Sequence, residues 1–235
     1  MTFVQVIDCK TSRFEELDRL MDAWVEKTKG KRTATHSVIG KDRLDASHFI
    51  EIVEFPSYEE AMRNSTLPET DRIFQDMVAL CDEMPTFTDL DVVRDQQMFS
   101  ATVRRFFELV QAPGELPPLD EVMGEHYHHH DPANVDDVVG MDQIRREMRL
   151  WREGFTFAFT VEDLIADGDR VCARWFWKGT HRGDFLGVPA TGREVFMTGT
   201  TVFRCTGDGR LAEGWWEYDR LGLMEQLGVF EELER

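Results

Sequence analysis

The sequence predicts two α+β domains in tandem. Three observations carry that reading. Strand-like and helix-like segments alternate through the first part of the chain. A short polar stretch follows, and after it come helices and then a long strand-rich run divided by glycine-containing turns. The 235 residues are long for one small domain and suit two of about 100 to 140 residues.

In the first half, Phe3 to Asp8 reads as a strand. Ser12 and Glu15 stand at capping-box spacing, where each side chain can satisfy an orphan backbone donor. Phe14, Leu17, Met21 and Trp24 recur at helical spacing, and Gly30 suits the helix exit. Two β-type segments follow, Thr33 to Ile39 and His48 to Phe55, the second stopped by Pro56. Ser57 and Glu60 repeat the capping-box spacing ahead of a short helix. A longer helix has Ile73, Phe74, Met77, Leu80 and Cys81 on its apolar side and ends before Pro85, and Phe87 to Val93 is a last strand. The order is βαββαβ, the ferredoxin-like arrangement.

The boundary falls in Arg94 to Ser100, giving domains 1–96 and 97–235. Val103, Phe106, Phe107 and Val110 share one helical face, and Ala112-Pro113-Gly114 breaks that helix. Leu119 to about His126 is expected to resume helix, and Met141 to Trp151 is a third helix with Ile144, Met148 and Trp151 on one side. Phe155 to Ile165, Arg170 to Lys178, Glu194 to Cys205 and Leu211 to Asp219 read as strands. Helices followed by a long antiparallel sheet make an α+β cone with a pocket between the layers.

The formal net charge of -18 disfavours phosphate backbones and anionic membranes as partners. No apolar run approaches the roughly 20 residues needed to span a bilayer, and the N-terminal MTFVQVIDCK is not a signal peptide, so a cytoplasmic protein is expected. Cys9, Cys81, Cys172 and Cys205 form no CxxC pair and read as small buried apolar residues.

The stretch FIEIVEFPSYEEAMRNSTLPET, with TSRFEELDRLMDAW before it and TDLDVV after it, resembles small proteins of the dimeric α+β barrel superfamily, which also holds cofactor-free antibiotic-biosynthesis monooxygenases. That resemblance spans Met1 to about Asp95 and implies a homodimer or higher homo-oligomer, with sheet packed on sheet. Trp24, His36, His48 and Asn64 are residue types such monooxygenases use, without diagnostic spacing.

In the second half, GTHRGDFLGVPATGREV (Gly179 to Val195) is similar to the GTHxGxFxGxPPTGxxV signature of SnoaL-like polyketide cyclases and ester cyclases, on the NTF2-like fold. Ala190 departs from it where the pattern has a second proline. His130-Asp131-Pro132 and the ending GRLAEGWWEYDRLGLMEQLG agree with that family in order and position. The resemblance implies a hydrophobic, polyketide-derived substrate in secondary metabolism and an intramolecular aldol ring closure with no metal or organic cofactor. It places the catalytic aspartate at Asp219 and a substrate-orienting histidine at His130. Some relatives carry a further histidine on the penultimate strand, and Thr200 to Cys205 has none.

Residue by residue, strand alternation sends Glu213, Trp215, Glu217 and Asp219 one way and Gly214, Trp216 and Tyr218 the other. A carboxylate beside tryptophans inside an apolar cone would be desolvated and its pKa raised toward proton-transfer range. Asp219 is the expected base, with Glu217 its alternate on the same face. An aspartate before Leu221-Gly222-Leu223 also suits a helix N-cap. His181 suits either pinning the signature turn or reaching substrate. Arg174 suits either an enolate oxygen or an ion pair. Trp175, Trp177 and Trp215 suit stacking on a flat substrate or ordinary sheet core. His126 and His130 stand at i, i+4, a zinc spacing on a helix, but no Glu or Cys sits at a diagnostic distance and Pro132 limits the helix, so no metal is expected. Epoxide-hydrolase relatives of the cone use an Arg-x-Asp pair, and here Arg174 is followed at that spacing by Phe176. The leading expectation is acid–base ring closure or isomerisation. The rivals are oxygenation by the first domain and non-catalytic small-molecule binding.

Overall fold

Strands with one apolar face need a helical layer to cover it, and each half of the chain supplies its own. The structure is a computed structural model describing residues 2–95, 97–134 and 136–230. It divides into two compact units, Met1–Asp95 and Gln96–Arg235.

The first unit runs β1 (Phe3–Lys10), α1 (Phe14–Lys27), β2 (His36–Lys41), β3 (His48–Phe55), α2 (Tyr58–Ser65), α3 (Pro68–Leu80) and β4 (Thr86–Asp91). The strand order is β2-β3-β1-β4 with every neighbouring pair antiparallel, the ferredoxin-like topology. Phe3, Ile7, Val53 and Phe55 turn inward onto Ala61 of α2, and Cys9 packs with Leu17 and Met77. On the opposite face Val38, Ile52 and Leu90 are exposed.

Ser57 caps α2 as its spacing predicts, accepting from the Glu60 amide at 3.3 Å. Ser12 does not cap α1. Its hydroxyl faces Asp82 at 3.2 Å, and the α1 N-cap, Arg13, makes no side-chain cap bond. Thr11 takes over locally, accepting from the Arg13 amide and donating to the Leu80 carbonyl at 2.7 Å, which ties the end of β1 to the end of α3. All four cysteines are free, but the fold brings Cys9 and Cys81 together with sulfurs 2.9 Å apart. Burial and the neighbouring thiol push Cys9 up to about 12.

The second unit opens with α4 (Met98–Gln111) and continues through β5 (Met123–His130), β6 (Val138–Val139), α5 (Met141–Gly154), β7 (Phe155–Asp167), β8 (Arg170–His181), β9 (Glu194–Cys205), β10 (Leu211–Tyr218) and α6 (Arg220–Leu227). The sheet order is β6-β5-β10-β9-β8-β7. Only β5 and β10 pair in parallel. The helix expected from Leu119 to His126 is one 3-10 turn, Leu119–Glu121, followed by β5. Aromatic and imidazole side chains fit a pleated, half-buried surface, and pairing with β10 decides the conformation. Among the described residues no helix is long and apolar enough to cross a membrane.

Two glycines make room for the indoles of the sheet. A methyl at Gly179 would strike the Trp177 ring, and one at Gly199 would strike the Trp175 ring and lie 2.8 Å from the Glu217 carbonyl. Both rings are buried and cannot swing away. Gly199→Ala is therefore expected to destabilise the second unit by about 1–3 kcal/mol. The check is a lower urea midpoint followed by tryptophan fluorescence, and an unchanged midpoint would contradict the packing described.

A candidate acid–base site in the cone

A cavity lies between α4, α5 and the inner face of the six-stranded sheet. Its two halves differ in chemistry. Phe106, Phe157, Phe159, Trp175, Trp177 and Met197, from α4 and β7 to β9, make an apolar wall. Tyr127, His129 and Asp131 from β5 and its end, Glu147 from α5, and Trp216 and Tyr218 from β10 make a polar one.

Strand alternation produces that grouping. Tyr127, His129 and Asp131 are every second residue, as are Gly214, Trp216 and Tyr218 on the neighbouring strand, where Gly214 pairs with His129. Gly214 leaves the space that the Tyr127 hydroxyl occupies. The His129 ring stacks on Trp216, with centroids 5.5 Å apart and planes at 22°.

Part of the polar half is tied together. The Tyr218 hydroxyl donates to Asp131 Oδ2 at 2.7 Å, and Asp131 Oδ1 accepts from the Ala133 amide at 2.8 Å. Asn134 donates to Glu147 Oε1 at 3.3 Å, and His129 Nε2 lies 3.8 Å from the same oxygen. The rest is not tied. His129 Nε2 and Glu147 Oε2 are buried without a hydrogen-bond partner, and the buried Tyr127 hydroxyl and Trp216 indole N–H face only each other. Burial raises the Tyr127 and Tyr218 phenols well above their ordinary value, with the charge of Asp131 adding to the shift at Tyr218. Burial pushes His129 below the usual imidazole range, against the pull of Glu147 and Asp131. The result is a neutral imidazole, a carboxyl oxygen and the Tyr127–Trp216 pair facing one enclosed space. His129, Asp131 and Glu147 also bring one ligand atom each to within 4.8 Å of one another, close enough to hold a cation. Arg152, at the cavity edge, donates to the carbonyls of Val110, Ala112 and Gly114 and so fastens the chain leaving α4.

Most residues expected to form the site lie elsewhere. The alternation along the last strand is as expected, but the inward set is Gly214, Trp216 and Tyr218. Asp219 is exposed and caps α6, its Oδ1 accepting from the Gly222 amide at 2.8 Å. A side chain at Gly222 would collide with that carboxylate, so the Asp-x-x-Gly spacing here serves the cap. Glu217 is exposed. Trp215 and His130 stack on each other on the outer face, with centroids 5.1 Å apart and planes at 4°, and neither lines the cavity. Arg174 is an exposed ion-pair residue, held by Glu162 and by Asp163 at 2.7 Å. His181 is buried in the signature turn, where its Nδ1 accepts from the Thr191 amide at 3.2 Å. Trp175 and Trp177 do line the cavity.

In the first unit, Trp24 donates to Thr70 at 3.1 Å, Asn64 accepts from the Thr33 amide at 3.3 Å, and His48 bridges Asp8 and Asp42. His36 lies 3.7 Å from Glu54. Each has a local structural partner.

Two signals in the sequence point to the residues that sequence reasoning passed over. Asp131 is the middle residue of the His-Asp-Pro motif. Glu147 interrupts the apolar stripe of Ile144, Met148 and Trp151, and a charge on the core face of a helix asks for a partner.

The sequence profile of the SnoaL-like polyketide cyclases matches residues 101–227. No curated protein matches the chain. Among solved structures, a protein of Jannaschia sp. CCS1 assigned as a SnoaL-like polyketide cyclase is 26% identical, with a TM-score of 0.52 over 60% of this chain and 98% of that one. A protein of Acidithiobacillus ferrooxidans assigned as a polyketide cyclase is 28% identical, with a TM-score of 0.51 over 60% of this chain and 99% of that one. The profile match, residues 101–227, lies wholly in the second unit, an NTF2-like cone. Through that unit, the chain belongs to the SnoaL-like polyketide cyclase family.

Proposed function

We propose that the second unit catalyses an acid–base carbon–carbon ring closure, or an allied isomerisation, on a hydrophobic polyketide-derived substrate. One observation carries the reading: four buried polar atoms, of Tyr127, His129, Glu147 and Trp216, have no hydrogen-bond partner beyond the Tyr127–Trp216 contact and belong to residues that line one cavity. Leaving a buried polar group unsatisfied costs about 1–3 kcal/mol each. Such a set is retained where a ligand completes it.

His129 is the proposed base. Its depressed pKa keeps Nε2 free to take a proton from a carbon flanked by two carbonyls. Glu147, 3.8 Å away, stabilises the imidazolium that forms. The Trp216 N–H and the Tyr127 O–H are placed to donate to the enolate oxygen as charge develops. The enolate carbon then attacks a second carbonyl of the same molecule, and the imidazolium returns its proton to the new alkoxide. Every proton is accounted for by His129 and the substrate. The aromatic wall suits a flat, unsaturated substrate.

Asp219→Asn is expected to retain turnover within a few-fold, because it changes an exposed cap. His129→Gln and Glu147→Gln are expected to lose turnover by about 100-fold or more while staying folded, in line with the usual contribution of a positioned acid or base. Substrate conversion followed by mass spectrometry, with circular dichroism as the folding control, checks this. Loss of turnover in Asp219→Asn alone would return the base to that residue.

For the first unit we infer self-association through the uncovered sheet face. Val38, Ile52 and Leu90 are exposed there beside half-buried Val4 and Val6, an apolar stripe across all four strands. Ile52→Lys is expected to convert a dimer to a monomer in light-scattering measurements. A wild-type monomer, or a variant that stays dimeric, would contradict this.

A further inference from the structure

The outer face of the β5–β10 pair holds a second cluster that the cavity chemistry does not use. His128 and His130 are two apart on β5 and project together, with ring centroids 4.3 Å apart. Glu213 is the β10 residue paired with His128. Both imidazoles are held between the same two carboxylates. Asp137 Oδ2 lies 2.9 Å from His130 Nδ1 and 3.2 Å from His128 Nε2. Glu213 Oε1 lies 3.8 Å from His130 Nε2 and 4.0 Å from His128 Nδ1. Arg204 bonds the other Glu213 oxygen at 2.7 Å and so aims Oε1 at the rings. His130 Nε2 is buried and has no hydrogen-bond partner.

We propose that His128, His130 and Glu213 form a binding site for a divalent first-row transition metal ion of the zinc type. Two imidazole nitrogens and a carboxylate oxygen are a donor set zinc accepts, with water in the fourth position. Zinc–ligand bonds of about 2.0–2.1 Å put tetrahedral ligand atoms roughly 3.3 Å apart. The three ligand atoms lie within 4.8 Å of one another, and the two nitrogen–oxygen separations need to close by roughly 0.5 and 0.7 Å. Asp137 supplies what metal-bound histidines almost always have, a carboxylate on the remote ring nitrogen that fixes tautomer and orientation. The ion would cross-link β5, β10 and the segment carrying Asp137, from the side of the sheet opposite the cavity. Glu213 and Asp137 bring two negative charges to the rings, and Arg204 bonds only the Glu213 oxygen that points away from them, so the ring-facing oxygens favour a cation.

The test is calorimetric titration of the full chain with zinc chloride after chelator treatment, alongside thermal unfolding with and without zinc. The expected result is one saturable site per chain and a rise in Tm on loading. His128→Asn, His130→Asn and Glu213→Gln should each weaken binding by at least 100-fold. Asp137→Asn should weaken it by 10- to 100-fold, the usual effect of losing an outer-shell partner. Glu147→Gln should leave it unchanged, which separates this cluster from the one in the cavity. Circular dichroism of each variant excludes unfolding as the cause. Absence of saturable binding, binding indifferent to the His128 and Glu213 variants, or loss of binding in Glu147→Gln would overturn the proposal.

Discussion

The parallel pairing of β5 with β10 divides the chemistry of the second unit. The register sets His128 beside Glu213, His129 beside Gly214 and His130 beside Trp215. Because side chains alternate across a sheet, this pairing assigns every polar residue of the two strands to one face or the other. Tyr127, His129, Trp216 and Tyr218 go into the cone, while His128, His130, Glu213 and Trp215 go to the outside. A one-residue slip of β10 would turn Glu213 and Trp215 against the aromatic wall and send Trp216 and Tyr218 outside. Gly214 guards the register, because only a residue without a side chain admits the Tyr127 hydroxyl.

The rest of the unit encloses the inner set. The GTHRGDFLGVPATG signature acts as structure. Gly183 lets the turn pass against the Glu153 carbonyl, Phe185 is fully buried against Trp151 and Phe155, and Thr191 locks His181. Gly187 and Gly192 take left-handed backbone conformations that a side chain would strain. Arg152 fastens the end of α4 and the segment after it through the carbonyls of Val110, Ala112, Gly114 and Glu115. With the walls fixed, the buried polar atoms of Tyr127, His129, Glu147 and Trp216 sit in a low-dielectric enclosure, which strengthens any interaction they make with a ligand.

Both folds were legible in the sequence because their signals are periodic: alternating strands, helical stripes and turn glycines. The family was legible because its signature residues serve the fold and so sit at fixed spacing. The site was less legible. Alternation along the last strand was readable, but which of its two faces points inward depends on what the neighbouring strand and helices cover, and no local pattern carries that. Asp219 stands in a family motif and is also a helix cap, and spacing alone suits both. The start of β5, up to about His126, reads as helix from sequence because the pairing partner that makes it a strand lies more than eighty residues away. Glu147 was within reach, since a carboxylate on the apolar stripe of α5 violates the pattern around it.

Inside the cone, burial holds His129 as a neutral ring with Nε2 shielded from solvent. Burial disfavours the charged ring, so the folded protein binds a proton at His129 only at lower pH than the unfolded chain does. Between those two values acidification favours unfolding. Nitrogen-15 NMR of the imidazole side chains, assigned through a His129→Gln variant and titrated with acid, tests this directly. His129 should keep the neutral-ring signature below the ordinary histidine value of about 6.5, for as long as the fold persists. Titration at or above that value would show a solvated or ion-paired ring and would contradict the site described.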